Sequence, residues 1–111
     1  MAYKKTPQEQ LNIIRQSCLN RAIDLYIVNC IEAGKLEVTA EYFVTTIYAK
    51  LGLVVGTAFT EVQTQGAIVL QSSLARAVEL AVGDKINTHE IVDNMYLFAD
   101  YVYFGVPDAK S

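Results

Sequence analysis

Apolar residues recur at helical spacing along most of the chain. Leu11, Ile14, Cys18, Ala22 and Leu25 keep a period near 3.6 residues and form one stripe. Just ahead of them, Thr6-Pro7-Gln8-Glu9 reads as a capping box, with Pro at the first helical position and Glu at the third. The spacing predicts a long first helix from about Pro7 to Ala33, closed by Gly34. A second apolar stripe, Leu19, Ile23, Tyr26, Ile27 and Cys30, lies roughly 100° or more around the same helix. Only Ser17, Asn20, Arg21 and Asp24 are left as a narrow polar strip. A helix patterned this way needs cover on two sides, either from the centre of the fold or from another protomer.

After a short connection, Thr39 is read as the N-cap of a second helix carrying Tyr42, Phe43, Ile47, Tyr48 and Leu51, which stops at Gly52. Leu53-Val54-Val55-Gly56 fits either an extended crossing or a frayed helical turn. A third helix begins near Thr57 or Thr60, where Thr60-Glu61-Val62-Gln63 makes another capping box, and runs to about Val82. It again has two stripes: Phe59, Val62, Val69, Ser73, Ala77 and Leu80, then Leu70, Leu74, Val78 and Ala81. Gly66 inside it costs about 1 kcal/mol relative to Ala but permits a close approach. Asn87-Thr88-His89-Glu90 caps a fourth helix with Ile91, Met95, Phe98, Ala99 and Val102, ending at Phe104-Gly105. Asp108 to Ser111 read as a loose tail.

The two long helices share more than a pattern. Gln16-Ser17-Cys18-Leu19-Asn20-Arg21-Ala22-Ile23-Asp24-Leu25 returns as Gln71-Ser72-Ser73-Leu74-Ala75-Arg76-Ala77-Val78-Glu79-Leu80. Such a repeat is the mark of a tandem duplication. Aligned by eye, Gly83-Asp84-Lys85-Ile86 mirrors Gly34-Lys35-Leu36 with one insertion. The expected fold is all-α: a four-helix, bundle-like single domain over residues 1–111. It would be made of two tandem helical hairpins (about 7–53 and about 57–106) related by a pseudo-twofold axis. The second stripes then imply a homo-oligomer, with Leu19, Ile23, Tyr26, Leu74 and Val78 at the interface.

Composition narrows the chemistry. With a net charge of −3 over 111 residues, no global cationic field draws in a polyanion. The start of the chain lacks an apolar signal core, and the longest apolar run, Leu51 to Phe59, is too short to span a bilayer. A soluble, cytoplasmic protein is expected. Cys18 and Cys30 would lie roughly 18 Å apart on one helix, beyond disulfide reach, as reduced thiols. His89 is the one histidine and has no second ligand at metal spacing, so no metal is expected. Cys18 has no base beside it in sequence and is replaced by Ser73 in the second copy. No phosphate-loop, dinucleotide or calcium-loop motif occurs. The expectation is a protein that is not an enzyme and carries no cofactor.

Binding candidates are the repeated polar positions Gln16, Arg21 and Asp24, and Gln71, Arg76 and Glu79. An Arg with an acid three residues on can be a surface ion pair, a cross-repeat contact or a ligand grip. Tyr96 and Tyr101 join them, because a flat ring beside a guanidinium is what a nucleobase stacks on.

Ile14-Arg15-Gln16-Ser17-Cys18-Leu19-Asn20-Arg21-Ala22-Ile23-Asp24-Leu25 resembles a stretch of small phage-encoded helical proteins, R-Q-[ST]-x-L-[KN]-x-A-[VI]-[DE]-L, followed by Gly-Lys and an aromatic helix. The resemblance covers each half once, and departs at Leu70, where the pattern has Arg. It implies an accessory protein of DNA replication or recombination, working in the host cytoplasm through a protein partner or single-stranded nucleic acid. The competing expectation is a protein that sequesters a small nucleotide signal, or a purely protein–protein inhibitor or adaptor.

Overall fold

The protein is described here by a computed structural model covering residues 5–106. Among these residues the chain is all-helical: α1 (Pro7–Ile27), a 3₁₀ turn (Ala33–Lys35), α2 (Leu36–Lys50), α3 (Glu61–Val82), a second 3₁₀ turn (Thr88–Glu90) and α4 (Ile91–Phe104). Both long helices start as the sequence requires. Glu9 N–H donates to Thr6 Oγ1 at 3.1 Å while Thr6 N–H donates to the Glu9 carboxylate at 3.0 Å. Thr60 and Gln63 exchange the same two bonds at 3.2 and 2.9 Å.

The end of α1 differs from expectation, while α3 ends at Val82 as expected. α1 stops at Ile27, not Ala33, because Asn29 takes a left-handed conformation with φ 63°. Asn29 N–H then donates to the Tyr26 carbonyl and Cys30 N–H to the Leu25 carbonyl, the paired bonds of a Schellman closure. Asp84, φ 60°, closes α3 identically, through Asp84 N–H to Ala81 and Lys85 N–H to Leu80. Asx side chains tolerate this region better than other non-glycine residues. The true counterpart of Gly83-Asp84 is therefore Val28-Asn29, with no insertion, and the following 3₁₀ turns keep the same register. Gly34 caps nothing, and Thr39 lies inside α2, which begins at Leu36. Gly52 does end α2, at φ 76°. The segment after it is not helical, and Leu53 and Val55 rest half-buried on the core. The tail expected at Asp108–Ser111 lies outside the described residues.

α1 packs against α2, α3 against α4, and α1 lies beside α3. The two long helices run in the same direction. Gln10, Ile13 and Ile14 line one groove with Thr64, Ala67, Ile68 and Gln71, and Asp24, Ile27 and Val28 line another with Val78, Glu79 and Val82. α2 and α4 are likewise parallel: Tyr96 Oη–H donates to the Thr46 carbonyl at 3.3 Å, and one turn on Lys50 Nζ sits 3.9 Å from Asp100 Oδ1. The helices spread into a slab of 45 × 45 × 22 Å with a radius of gyration of 14.7 Å, above the about 13 Å of a rounder domain of this length.

One apolar cluster runs through all four helices. The buried residues of α1 are the first stripe, Leu11, Ile14, Cys18, Ala22 and Leu25, with nothing added or lost. α3 behaves differently. It buries Ser73 and Ala77 from its first stripe and all of Leu70, Leu74, Val78 and Ala81 from its second, while Val62 is exposed. Leu74 and Val78 are thus core residues, not oligomer-interface residues, because α1 already covers that side. Leu19, Ile23 and Tyr26 are exposed.

Candidate functional site

The repeated polar strips occupy different environments. Arg21 Nε stands 3.4 Å from Asp24 Oδ2 and Arg76 NH2 3.0 Å from Glu79 Oε1. The Arg21 side chain is 26% exposed and the Arg76 side chain 62%. Arg21 Nε is buried without a hydrogen bond among the described residues. Arg21 and Asp24 are half-buried and Arg76 and Glu79 open to solvent, while the glutamines are reversed, Gln16 exposed and Gln71 half-buried. Gln16 borders a shallow groove on α1 with Asn12, Ile13, Arg15 and Leu19. Gln71 borders the groove at the start of α1 and α3. Asp24 and Glu79 meet at the other end of the same helix pair, beside Ile27, Val28 and Val82. The candidates do not converge on one cleft.

Of the two tyrosines, Tyr96 is half-buried. Its hydroxyl holds the Thr46 carbonyl, and Lys50 Nζ lies 4.8 Å from its ring centre. Burial, then the neighbouring Tyr42 and Asp93, raise its pKa above the ordinary tyrosine value. Its role is to join α2 to α4. Tyr101 is exposed, and with Ser72, Ser73, Arg76, Phe98 and Val102 it lines an open groove of about 300 Å³ between α3 and α4. Arg76 and Tyr101 are the one predicted arginine–tyrosine pair that the fold brings to a common surface.

Charge does not organise a site. Arg15 grips Glu41 through two bonds, Nε to Oε2 at 3.2 Å and NH2 to Oε1 at 2.9 Å. Arg15, Arg21, Lys50 and Arg76 each lie within 4 Å of a carboxylate. Among the described residues no three His, Cys, Asp or Glu gather in a group that could hold a metal. Cys18 is fully buried, and burial pushes its thiol up to about 12, far from a thiolate nucleophile at neutral pH. Cys30 is free and half-exposed, its Sγ 3.9 Å from the Ala81 carbonyl.

The surface carries exposed apolar side chains at several places, most densely at two. On α1, the uncovered strip is Leu19, Ile23 and Tyr26, running on to Ile27. On α4 it is Leu97, Tyr101, Val102, Tyr103 and Phe104, with Val106 beyond. Sequence reasoning identified the first and missed the second, because Phe98 and Val102 have the spacing of a buried stripe. No sequence signal separated the two: Val102 is 60% exposed, whereas Ile47, the similar residue at the matching place in α2, is fully buried. No described helix is long and apolar enough to cross a membrane. No protein-family model, curated protein or solved structure matches the chain.

Proposed function

We propose that this is a non-enzymatic binding protein, made of two tandem helical hairpins, that acts through contact with other protein surfaces. The observation that carries the reading is the pair of uncovered apolar strips, Leu19–Ile23–Tyr26 on α1 and Tyr101–Val102 with its neighbours on α4. Contiguous apolar patches of this kind mark protein-interaction sites on soluble chains. The hairpins are better described as stacked side by side than as related by a pseudo-twofold axis or closed into a bundle. A twofold would bring the same face of α1 and α3 to their contact. Here Leu74, Val78 and Ala81 of α3 are buried, while the matching Leu19, Ile23 and Tyr26 of α1 are exposed.

The chain's resemblance to phage helical proteins makes a replication or recombination protein the first partner class to test, in the cytoplasm of a host cell. Single-stranded nucleic acid and a sequestered nucleotide are weaker readings. The arginines are engaged by carboxylates, and the Arg–Gln strips share no pocket. A photoactivatable cross-linking residue at Ile23 or Tyr101, used in the cell that makes the protein, tests the choice. Cross-links to protein are expected. Cross-links to nucleic acid alone, or none to any protein, would refute the reading. In vitro, no gel shift of single-stranded DNA at 50 mM salt and no thermal stabilisation by nucleotides are expected.

A further inference from the structure

The contact between the two hairpins joins unlike faces, and each of those faces recurs, uncovered, at the opposite end of the molecule. α3 offers α1 the stripe Leu74, Val78 and Ala81, which is buried. The corresponding residues of α1, Leu19, Ile23 and Tyr26, are partly open to solvent. Leu19 is 38% exposed, while Leu74, the same amino acid at the matching position, is fully buried. The other side of the contact shows the reverse. Ser17, Arg21, Phe43, Thr46 and Ile47 of the first hairpin are buried or half-buried. The second hairpin's matching Ser72, Arg76, Tyr101 and Val102 are exposed, Phe98 is half-buried, and these residues line the open groove between α3 and α4. That groove lies where the first hairpin receives the second.

We infer that a second copy of this chain docks head to tail, the Leu19–Ile23–Tyr26 face of one molecule entering the α3–α4 groove of the next and repeating the contact already made inside the chain. The inference rests on the proposal that the apolar strips bind protein, and it names the partner. Two features make the match specific. The incoming face keeps Leu at the central position and a β-branched residue at the next, Ile23 for Val78. The receiving groove keeps the Ser, Arg and Phe of its internal counterpart. A heterologous contact of this type generates a ring or an open chain, not an isologous dimer.

Complementation between mutants decides it. Wild-type protein at tens of micromolar is expected to sediment as dimers and larger species. Leu19→Glu, at one end, and Val102→Glu, at the other, are each expected to sediment as monomers, with far-UV circular dichroism and melting cooperativity unchanged because both positions are on the surface. Mixed together, the two variants are expected to form a heterodimer that stops there, since each retains one working face. Tyr101→Glu serves in place of Val102→Glu if that variant fails to fold. Monomeric wild-type protein would overturn the inference. Wild-type oligomers whose two variants do not complement would also overturn it, in favour of a contact between like faces. The cell-based cross-linking separates this from the broader reading: cross-links only to a different protein would leave protein binding standing and remove the second copy as partner.

Discussion

At the scale of single residues, the consequential groups are buried ones with polar or ionisable atoms. The Cys18 thiol stays protonated in the fold to about pH 12, whereas its ordinary value is 9.0, and burial is the main cause. Its folded value is raised, so the contribution to stability is complete below about pH 9 and is lost as pH rises towards 12. Cys18→Ser, which copies Ser73, removes this term. The stability advantage of the wild type over that variant is expected to shrink by about 1 kcal/mol per pH unit above pH 9, measured by urea unfolding at a series of alkaline pH values. Cys18 is also expected to resist thiol reagents until the protein unfolds, with Cys30 reacting first. Tyr48 presents another case. Its ring lies 5.3 Å from that of Phe59, burial raises its pKa against an opposing backbone contact from Gly56, and its buried hydroxyl makes no hydrogen bond of good geometry among the described residues. Tyr48→Phe therefore deletes a poorly satisfied group. Thermal or chemical unfolding is expected to show unchanged stability or a gain of up to about 1 kcal/mol, and a loss beyond that would mean that the hydroxyl is satisfied. The periodicity showed that Cys18 and Tyr48 belong to apolar stripes. It could not show that the Tyr48 hydroxyl would be so weakly satisfied, because that depends on the crossing segment after Gly52.

At the scale of elements, the two capping boxes and the ends of α2, α3 and α4 were legible, while the stop of α1 and the start of α2 were not. Thr6 and Thr60 announce their capping boxes through side chains placed three residues ahead of a Glu or Gln. The stops at Asn29 and Asp84 depend on two non-glycine residues turning left-handed. At the first, Gly34 drew the reading six residues too far; at the second, the helix end was read correctly at Val82 but the role of Asp84 was not seen. The repeat could have corrected this, since Asn29 and Asp84 hold matching places once the halves are aligned without a gap. Asn29→Ala and Asp84→Ala are each expected to lower stability by about 1 kcal/mol, while the glycine substitutions are neutral or stabilising. Equal losses at the two sites in equilibrium unfolding would show that the closures do the same work. The first stripe of α1 was fully readable because its core contact uses a single face. The burial of both stripes on α3 was not readable, since pattern alone does not reveal which end of a stack a helix occupies.

For the whole molecule, the arrangement of α1 beside α3 and α2 beside α4 leaves two unlike ends. If those ends meet in solution, the melting temperature of the wild type is expected to rise with protein concentration, and that of Leu19→Glu to be independent of it. Calorimetry across a hundredfold dilution is the check. The parallel arrangement also accounts for where the two halves of the sequence have drifted apart. Arg15 became or came from Leu70, Asn12 pairs with Ala67, and Tyr26 with Ala81; in each pair the exposed member is polar or bulky, and the buried member is apolar and fits beneath a neighbouring helix. Positions with similar surroundings, such as Ile13 and Ile68 or Ala22 and Ala77, stayed alike. Divergence between the halves is thus a footprint of inequality between two sites that began as copies. Any descendant that acquired a third unit would be expected to show it again, with the middle unit's residues resembling the inner side of each neighbour and the outermost ones free to change.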